Sequence, residues 1–403
     1  MSSPTAAVPL STLTLRVANR EQTIESRKRS YHEWGRGMTL EKYLERDEKT
    51  EQHEIAKNGR LVTWVLVHRE SPEGLDFLCA CETYVFMLMM FKREGAVFRK
   101  GDTGIRDVAC YGIASVFTPV ENRKKGYAAH MMRLLHWVLG PRSSLPEQFP
   151  VQWGAPPERR DSDLVGDAAF SVLYSDIGPN FYRLAGSADN QDDGWVVHSP
   201  RSTVLKVDDV QAPDAKYSVN EDQWKWLDED GLAKIWEKDT EIMKSELVKY
   251  PLAQGQDIAC TFFPRGGVAD FQIQRLQEWW KNVNPIPRYW GLQISSPDGS
   301  PDLSTFAAWT IEYRPPKLNT LLIIRIRASP STFADLLRCV CEYAKQHSIE
   351  RVEMWNLEAQ LVEIAEGLGA QTFDRNDHLC SLKWYGPYTS DEASRVVWAF
   401  NEK

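Results

Sequence analysis

Hydrophobic and polar positions alternate along Leu13-Thr14-Leu15-Arg16-Val17, which predicts a strand, and the spacing then lengthens to a helical period over 20–34. Arg27, Lys28 and Arg29 fall within that helix and read as a solvated face. A polar segment follows, then apolar runs that predict a strand over 61–67 and, over 75–91, a long strand or a strand with a bulge, parted by the turn Ser71-Pro72-Glu73-Gly74. Glycines at 101 and 104 break the chain before a strand over 108–118. A helix over 129–139 follows, closed by Gly140-Pro141; Ala128, Met131, Met132, Leu135 and Val138 recur at core-facing spacing. Proline and charge dominate 141–163, which reads as a surface excursion. A strand over 170–174, a short helix over 180–184 and a closing strand region over 195–207 complete this half. Interleaved strands and helices in this order predict an α+β layer arrangement.

The stretch 207–217 is charged and carries Pro213, so a linker is placed there, dividing the chain into domains 1–208 and 209–403. Similar elements then recur. A helix over 221–249 and strands over 292–294, 306–313 and 321–327 are followed by a helix over 331–347 with Phe333, Leu336, Leu337, Val340 and Ala344 on one face. A strand over 350–355, a helix over 359–368 and a strand over 379–384 end the series. The second half reads as a degenerate copy of the first.

At 403 residues, two domains are the natural expectation. The net charge of −8 argues against a nucleic-acid partner, since phosphate contacts want a basic face. No apolar run reaches membrane-spanning length, and residues 1–10 do not read as a secretory signal. Seven cysteines without framework spacing suit a reducing compartment, and the expected location is cytoplasmic. Cys79-x-Cys81 and Cys339-x-Cys341 lack a nearby partner pair for zinc, so both pairs read as buried small hydrophobes, and no metal is expected.

The chemistry concentrates at Arg123-Lys124-Lys125-Gly126-Tyr127-Ala128, between a strand and a helix start. The first N–H groups of a helix lack intrahelical partners and carry partial positive charge, so a diphosphate can sit on them. The spacing R-x-x-G-x-A after such a strand resembles the coenzyme A signature of the GCN5-related N-acetyltransferases. That resemblance implies tandem acyltransferase folds with mixed, mostly antiparallel sheets flanked by helices. It implies acetyl-CoA as co-substrate, its pantetheine arm pairing with the backbone of Val116, Phe117 and Thr118, and the family's splay between this strand and the next as the reaction slot. It makes Asn180 a further cofactor contact. It also makes Tyr182, in Asn180-Phe181-Tyr182-Arg183-Leu184-Ala185-Gly186, the general acid that protonates the leaving thiolate. Ser187 departs from the family's usual glycine-phenylalanine ending. Glu82 and Asp176 are candidate bases or ammonium partners, with a solvated strand-end role as the alternative. His130 and His136 read as structural. After the corresponding strand the second half has Ala328-Ser329-Pro330-Ser331 and no signature, so it is not expected to bind coenzyme A.

The layout and the Trp-rich second half resemble the fungal lysine acetyltransferases of lysine catabolism. The implied acceptor is a small primary amine, free L-lysine, with Trp279, Trp280, Trp290, Trp309, Tyr313 and Trp355 as residues that could line a pocket or simply build a core. A protein or peptide acetyltransferase and a non-catalytic acyl-CoA-binding module stay open beside it. Oligomeric state is not legible.

Overall fold

The computed structural model describes residues 7–85, 87–88, 92–93, 95–159, 166–189, 191–198, 200–210, 224–277, 285–295, 301–313, 317–386 and 394–400. Two compact units are present. One comprises Met1–His198, Tyr250–Phe262 and Asn376–Trp398, the other Ser199–Lys249, Phe263–Arg375 and Ala399–Lys403. The linear division at 208/209 therefore differs from the units, which exchange segments.

The first unit is built on a seven-stranded sheet ordered β1 (Leu13–Val17), β2 (Leu61–His68), β3 (Cys79–Val85), β8 (Cys110–Phe117), β9 (Phe170–Ser175), β19 (Leu379–Trp384) and β10 (Val196–Val197). All neighbours are antiparallel except β8 and β9, which run parallel. The expected long strand over 75–91 is shorter: β3 ends at Val85, and β4 (Met87–Leu88) and β5 (Lys92–Arg93) form a separate ladder. A four-stranded sheet orders β20 (Val396–Trp398), β13 (Ile258–Phe262), β6 (Gly95–Arg99) and β7 (Arg106–Val108). The strand expected over 108–118 is thus divided between β7 and β8.

The helices α1 (Arg20–Trp34) and α2 (Leu40–Thr50) are capped by Asn19 and Thr39. α2 arises where only a polar segment is expected. Its stripe Leu40, Tyr43, Leu44 and Asp47 is sparse, and Thr39 is the stronger signal. Of the basic run in α1, Lys28 is exposed as expected, whereas Arg27 and Arg29 are not a solvated face. Arg27 is buried against Glu51 at 2.7 Å, while Arg29 binds the carbonyls of Phe77 and Leu75 and stacks on the Phe77 ring.

The helix α3 (Tyr127–Leu139) buries more than its expected face, since Leu134, Trp137 and Leu139 are also buried. The 141–163 excursion supplies the cover: Trp153 is buried, and Phe149 packs edge-on against Trp137 with ring centroids 4.7 Å apart. His136 bonds the Tyr385 hydroxyl at 2.9 Å and the Ala185 carbonyl at 2.8 Å, and stacks on Trp195. Burial holds the pKa of His136 down to about 3 and that of His130 to about 4. Both depressed values favour the neutral native forms, so the stability they confer is full above about 6.5, the ordinary histidine value, and declines as the unfolded chain takes up protons below it. Each histidine costs on the order of 1 kcal/mol per pH unit in that window. The urea midpoint is expected to fall between pH 7 and 5; an unchanged midpoint would contradict neutral burial of both rings.

The second unit repeats the pairing pattern. Its sheet orders β12 (Trp224–Leu227), β14 (Gly291–Ser295), β15 (Pro301–Glu312), β16 (Thr320–Arg327), β17 (Arg351–Trp355), β11 (Arg201–Lys206) and β18 (Gln371–Asp374), with β16 and β17 as the parallel pair. The sixth strand of each sheet comes from the opposite half of the chain, β19 in the first and β11 in the second. The closing region over 195–207 is accordingly two strands in different sheets, because Pro200 interrupts it. Within the segment expected to be helical over 221–249, residues 221–223 lie outside the described residues and Trp224–Leu227 form β12. The helix α5 (Glu229–Leu247) starts only after the Asp228 cap, and α6 (Asp270–Gln274) is a short addition. The helix Pro330–Gln346 occupies the place of α3. Trp290 and Trp309 are in this unit's core, Trp355 is also buried, and Tyr313 is exposed. Trp279 and Trp280 lie outside the described residues.

Candidate active site

The site begins with a defect in β8. Glu82 faces Ala114 in the β3–β8 register, yet Ala80 faces Phe117, so β8 carries one residue more than β3 over this step. Ser115 absorbs the surplus with φ of 54°, a left-handed conformation that bends the strand. On the opposite edge, the parallel ladder to β9 runs from Cys110↔Phe170 to Ile113↔Leu173 and stops, although β8 continues to Phe117. The two strands part where the bulge sits. Backbone groups of 114–117 on that edge are thereby released from the ladder, and an extended polar chain can pair with them.

The loop that follows is shaped for an anion. Lys124 and Gly126 take positive φ (63° and 83°), turning the chain abruptly into α3. His130 makes the first intrahelical bond, to the Gly126 carbonyl at 2.9 Å, and no side chain caps this end of the helix. A Cβ built on Gly126 meets nothing within 4 Å, so the approach to these amides is open. Lys124 is exposed and Lys125 half-buried. Tyr127 contributes through its backbone only: its ring is in the core and its hydroxyl accepts from the Val8 N–H at 2.8 Å. Arg123 braces the loop, donating to the Thr118 carbonyl at 3.0 Å and pairing with Glu33 at 2.6 Å. Thr118 thus spends its carbonyl on Arg123, leaving Val116 and Phe117 as the freer partners on the strand. Ala128 follows in the first turn. The second unit differs in physical terms here, since Pro330 removes one N–H and the Ser329 N–H donates to Thr332 Oγ1 at 3.2 Å.

Glu82 and Tyr182 stand on opposite faces of the sheet. Cys79 and Cys81 of β3 belong to the core under α3, with Cys79 Sγ 3.5 Å from Met131 Sδ, whereas Ala80 belongs to the cluster around Phe77 on the other face. Alternation puts Glu82 with Ala80, and its charge acts on Arg27 of α1 and Tyr43 of α2. Tyr182, in α4 (Asn180–Arg183), is in the α3-side core, its ring edge-on to Phe181 and Trp195. Burial first, then the charges of Cys81 and Asp176, push the Tyr182 phenol well above the ordinary tyrosine value. A phenol so placed keeps its proton at neutral pH and can donate it.

The other candidates are placed as follows. Asp176 is exposed and accepts from the His378 N–H at 3.0 Å, with the His378 ring 2.9 Å away. Asn180 is exposed at the start of α4, where its carbonyl accepts from Leu184 N–H at 3.0 Å. Arg27 and the Ser115 bulge were not singled out from sequence. A polar serine inside the apolar run 113–117 was the available signal for the bulge; nothing local separated Arg27 from Lys28. Among the described residues no cluster of metal-ligating side chains occurs, and no helix is long and apolar enough to cross a membrane.

Residues 209–403 match the family described as LYC1 GNAT-like C-terminal domain. The chain is 22% identical over 396 residues to the lysine acetyltransferase of Yarrowia lipolytica (strain CLIB 122 / E 150), covering 89% of this chain and 88% of that protein. Among solved structures, a conserved protein of unknown function from Enterococcus faecalis V583 superposes with a TM-score of 0.52 at 12% identity, over 93% of this chain and 73% of that one. A GCN5-related N-acetyltransferase from Kribbella flavida gives 0.50 at 13% identity, over 95% and 74%. These two likenesses are of fold. Residues 209–403 thus carry a domain of the LYC1 GNAT-like family, and the chain as a whole is similar to the Yarrowia lysine acetyltransferase and shares the fold of the two solved structures.

Proposed function

We propose that the chain transfers the acetyl group of acetyl-CoA to the side-chain amine of free L-lysine, by direct attack in a ternary complex. The observation that carries this reading is the parting of β8 from β9 beside the Ser115 bulge, next to an uncapped helix N-terminus. Those features fit acetyl-CoA: the amides of 126–129 and the lysines at 124 and 125 would hold its diphosphate, and Val116 and Phe117 its pantetheine amides. Bound there, it supplies an activated acyl carbon with a thiolate leaving group. Glu82, on the α1–α2 face, would bind the acceptor ammonium and take its proton. Tyr182, on the α3 face, would protonate the departing sulfur. One C–N bond forms and one C–S bond breaks; the first ammonium proton passes to Glu82, the phenolic proton goes to sulfur, and the second proton lost by the attacking nitrogen restores the phenol. Free lysine as acceptor rests on the Yarrowia relative's name, and the net charge of −8 favours a cationic substrate.

The test is thiol release from acetyl-CoA with L-lysine, with a lysine-containing peptide, and with no acceptor. Turnover with free lysine, reduced in Arg123→Ala, is the expected result. Turnover with the peptide alone would move the function to protein modification.

A further inference from the structure

The helix that carries Tyr182 is too short to hold itself in place. α4 has four residues and no side-chain cap, and so short a helix gains too few bonds to offset the cost of its nucleation. Its C-terminal carbonyls are satisfied from outside. Trp195 donates its N–H to the Tyr182 carbonyl at 3.1 Å and Gly194 to that of Arg183 at 3.0 Å, while His136 Nε2 lies 2.8 Å from that of Ala185. Glycine is needed for this approach, since a Cβ at 194 would stand 2.0 Å from the Tyr182 oxygen. The Trp195 ring is fixed as well. Its indole N–H donates to Ser171 Oγ of β9 at 2.9 Å, its plane stacks on His136 with centroids 4.3 Å apart, and the Tyr182 ring meets it edge-on.

Asp193, one residue before this pair of donors, is held by Lys383 of β19. The Lys383 side chain is buried, and its ammonium donates to Asp193 Oδ2 at 3.0 Å and to the Asp193 backbone carbonyl. The same carboxylate accepts from the Ser187 N–H at 3.1 Å and from the Ser187 hydroxyl at 3.2 Å. Ser187, the departure from the expected glycine-phenylalanine ending, thus ties the chain just after α4 to the segment that caps it. We infer that Lys383 is a positioning residue for Tyr182: by fixing Asp193 it sets residues 193–195 against the carbonyls of α4, and so fixes the phenol. The inference deepens the acetyl-transfer reading and rests on it. Stability alone does not call for an ammonium here, because apolar side chains in place of a buried ion pair are often no less stable. Charge-assisted bonds to two oxygens of one residue fix a position that apolar packing leaves looser. Burial raises the pKa of the Asp193 carboxyl, yet the charge and the hydrogen bond of Lys383 outweigh it and hold the value below the ordinary one.

Two readouts test this in the full-length protein. The first is amide hydrogen exchange. In Lys383→Met the Gly194 and Trp195 amides are expected to exchange about tenfold faster or more, with the buried amides of α3 unchanged. The second is kcat for thiol release. It should fall about 10- to 100-fold in Lys383→Met with little change in the KM for acetyl-CoA, and be largely regained in Lys383→Arg, which keeps the charge. The deficit should shrink with a donor whose thiol is more acidic, and should nearly vanish in a Tyr182→Phe background, because both changes remove one function. A purely structural role would lower the active fraction alike for every donor and in either background. If Lys383→Met does not fold, Asp193→Asn carries the same comparison. Unmoved exchange at 194 and 195, or a deficit that is independent of donor and additive with Tyr182→Phe, overturns the inference. If the wild-type protein releases no thiol with any amine, the acetyl-transfer reading fails and the catalytic role of Lys383 with it, while the exchange rates still decide whether Lys383 holds residues 193–195 on α4.

Discussion

Residues 1–208 expressed alone are expected not to fold cooperatively and not to release thiol from acetyl-CoA, although they contain the signature, Glu82 and Tyr182. The reason is β19. It pairs with β9 over six positions, Leu379↔Ser175 to Trp384↔Phe170, and separates β9 from β10 in the sheet. Leu379, Leu382, Trp384 and Tyr385 are all buried, and at about 1.5–3 kcal/mol for each apolar side chain their loss amounts to roughly 6–12 kcal/mol. That is comparable to the whole stability of a typical domain, about 5–15 kcal/mol. Polar partners go as well: Lys383 leaves Asp193, which it meets at 3.0 Å, and His136 loses the Tyr385 hydroxyl. The exposed edge of β9 would offer unpaired backbone to other chains, so aggregation is the expected failure. Urea unfolding of 1–208 beside the full chain checks this. A single cooperative transition with retained thiol release would show that β19 is dispensable.

The same strand marks the limit of what was legible in the sequence. Local signals did well where one element answers to its own residues. β1 carries a clean alternation, the signature marks the start of α3, and the run 379–384 was recognised as a strand. Its sheet was not, because alternation tells which face of a strand is apolar and nothing about its neighbour. The chain passes through the units in a crossing order, and nothing around Leu379 or Arg201 announces the exchange. The site shows the same division. Arg123 to Ala128 could be read locally, since a turn and a helix start are local events. Arg27 could not: Arg27, Lys28 and Arg29 look alike in sequence, and only the packing of α1 against α2 buries the first and leaves it beside Glu51 and Asp47. The excursion 141–163 misled for a related reason. Its prolines and charges suggest solvent, yet Leu145 and Trp153 return to cover α3.

Tyr182→Phe is expected to lower kcat by about 10²–10³ with little change in the KM for acetyl-CoA. The substitution removes one oxygen and keeps the ring, whose contacts with Phe181 (centroids 5.0 Å apart) and Trp195 (6.4 Å) are aromatic edges and faces. Stability should therefore change little, so that a lost rate reports on chemistry. The raised pKa sets the sign of the pH effect: the phenol is protonated throughout the neutral range, and no falling alkaline limb from Tyr182 should appear below the ordinary tyrosine value near 10. A change of donor isolates the step. A thioester whose thiol is more acidic needs less help in leaving, so the deficit of Tyr182→Phe should shrink with such a donor. If the deficit stayed constant across donors, the hydroxyl would be orienting the thioester rather than protonating it. A rate within twofold of the wild type would remove Tyr182 from the chemistry and leave the thiolate to be protonated by water in the gap between β8 and β9.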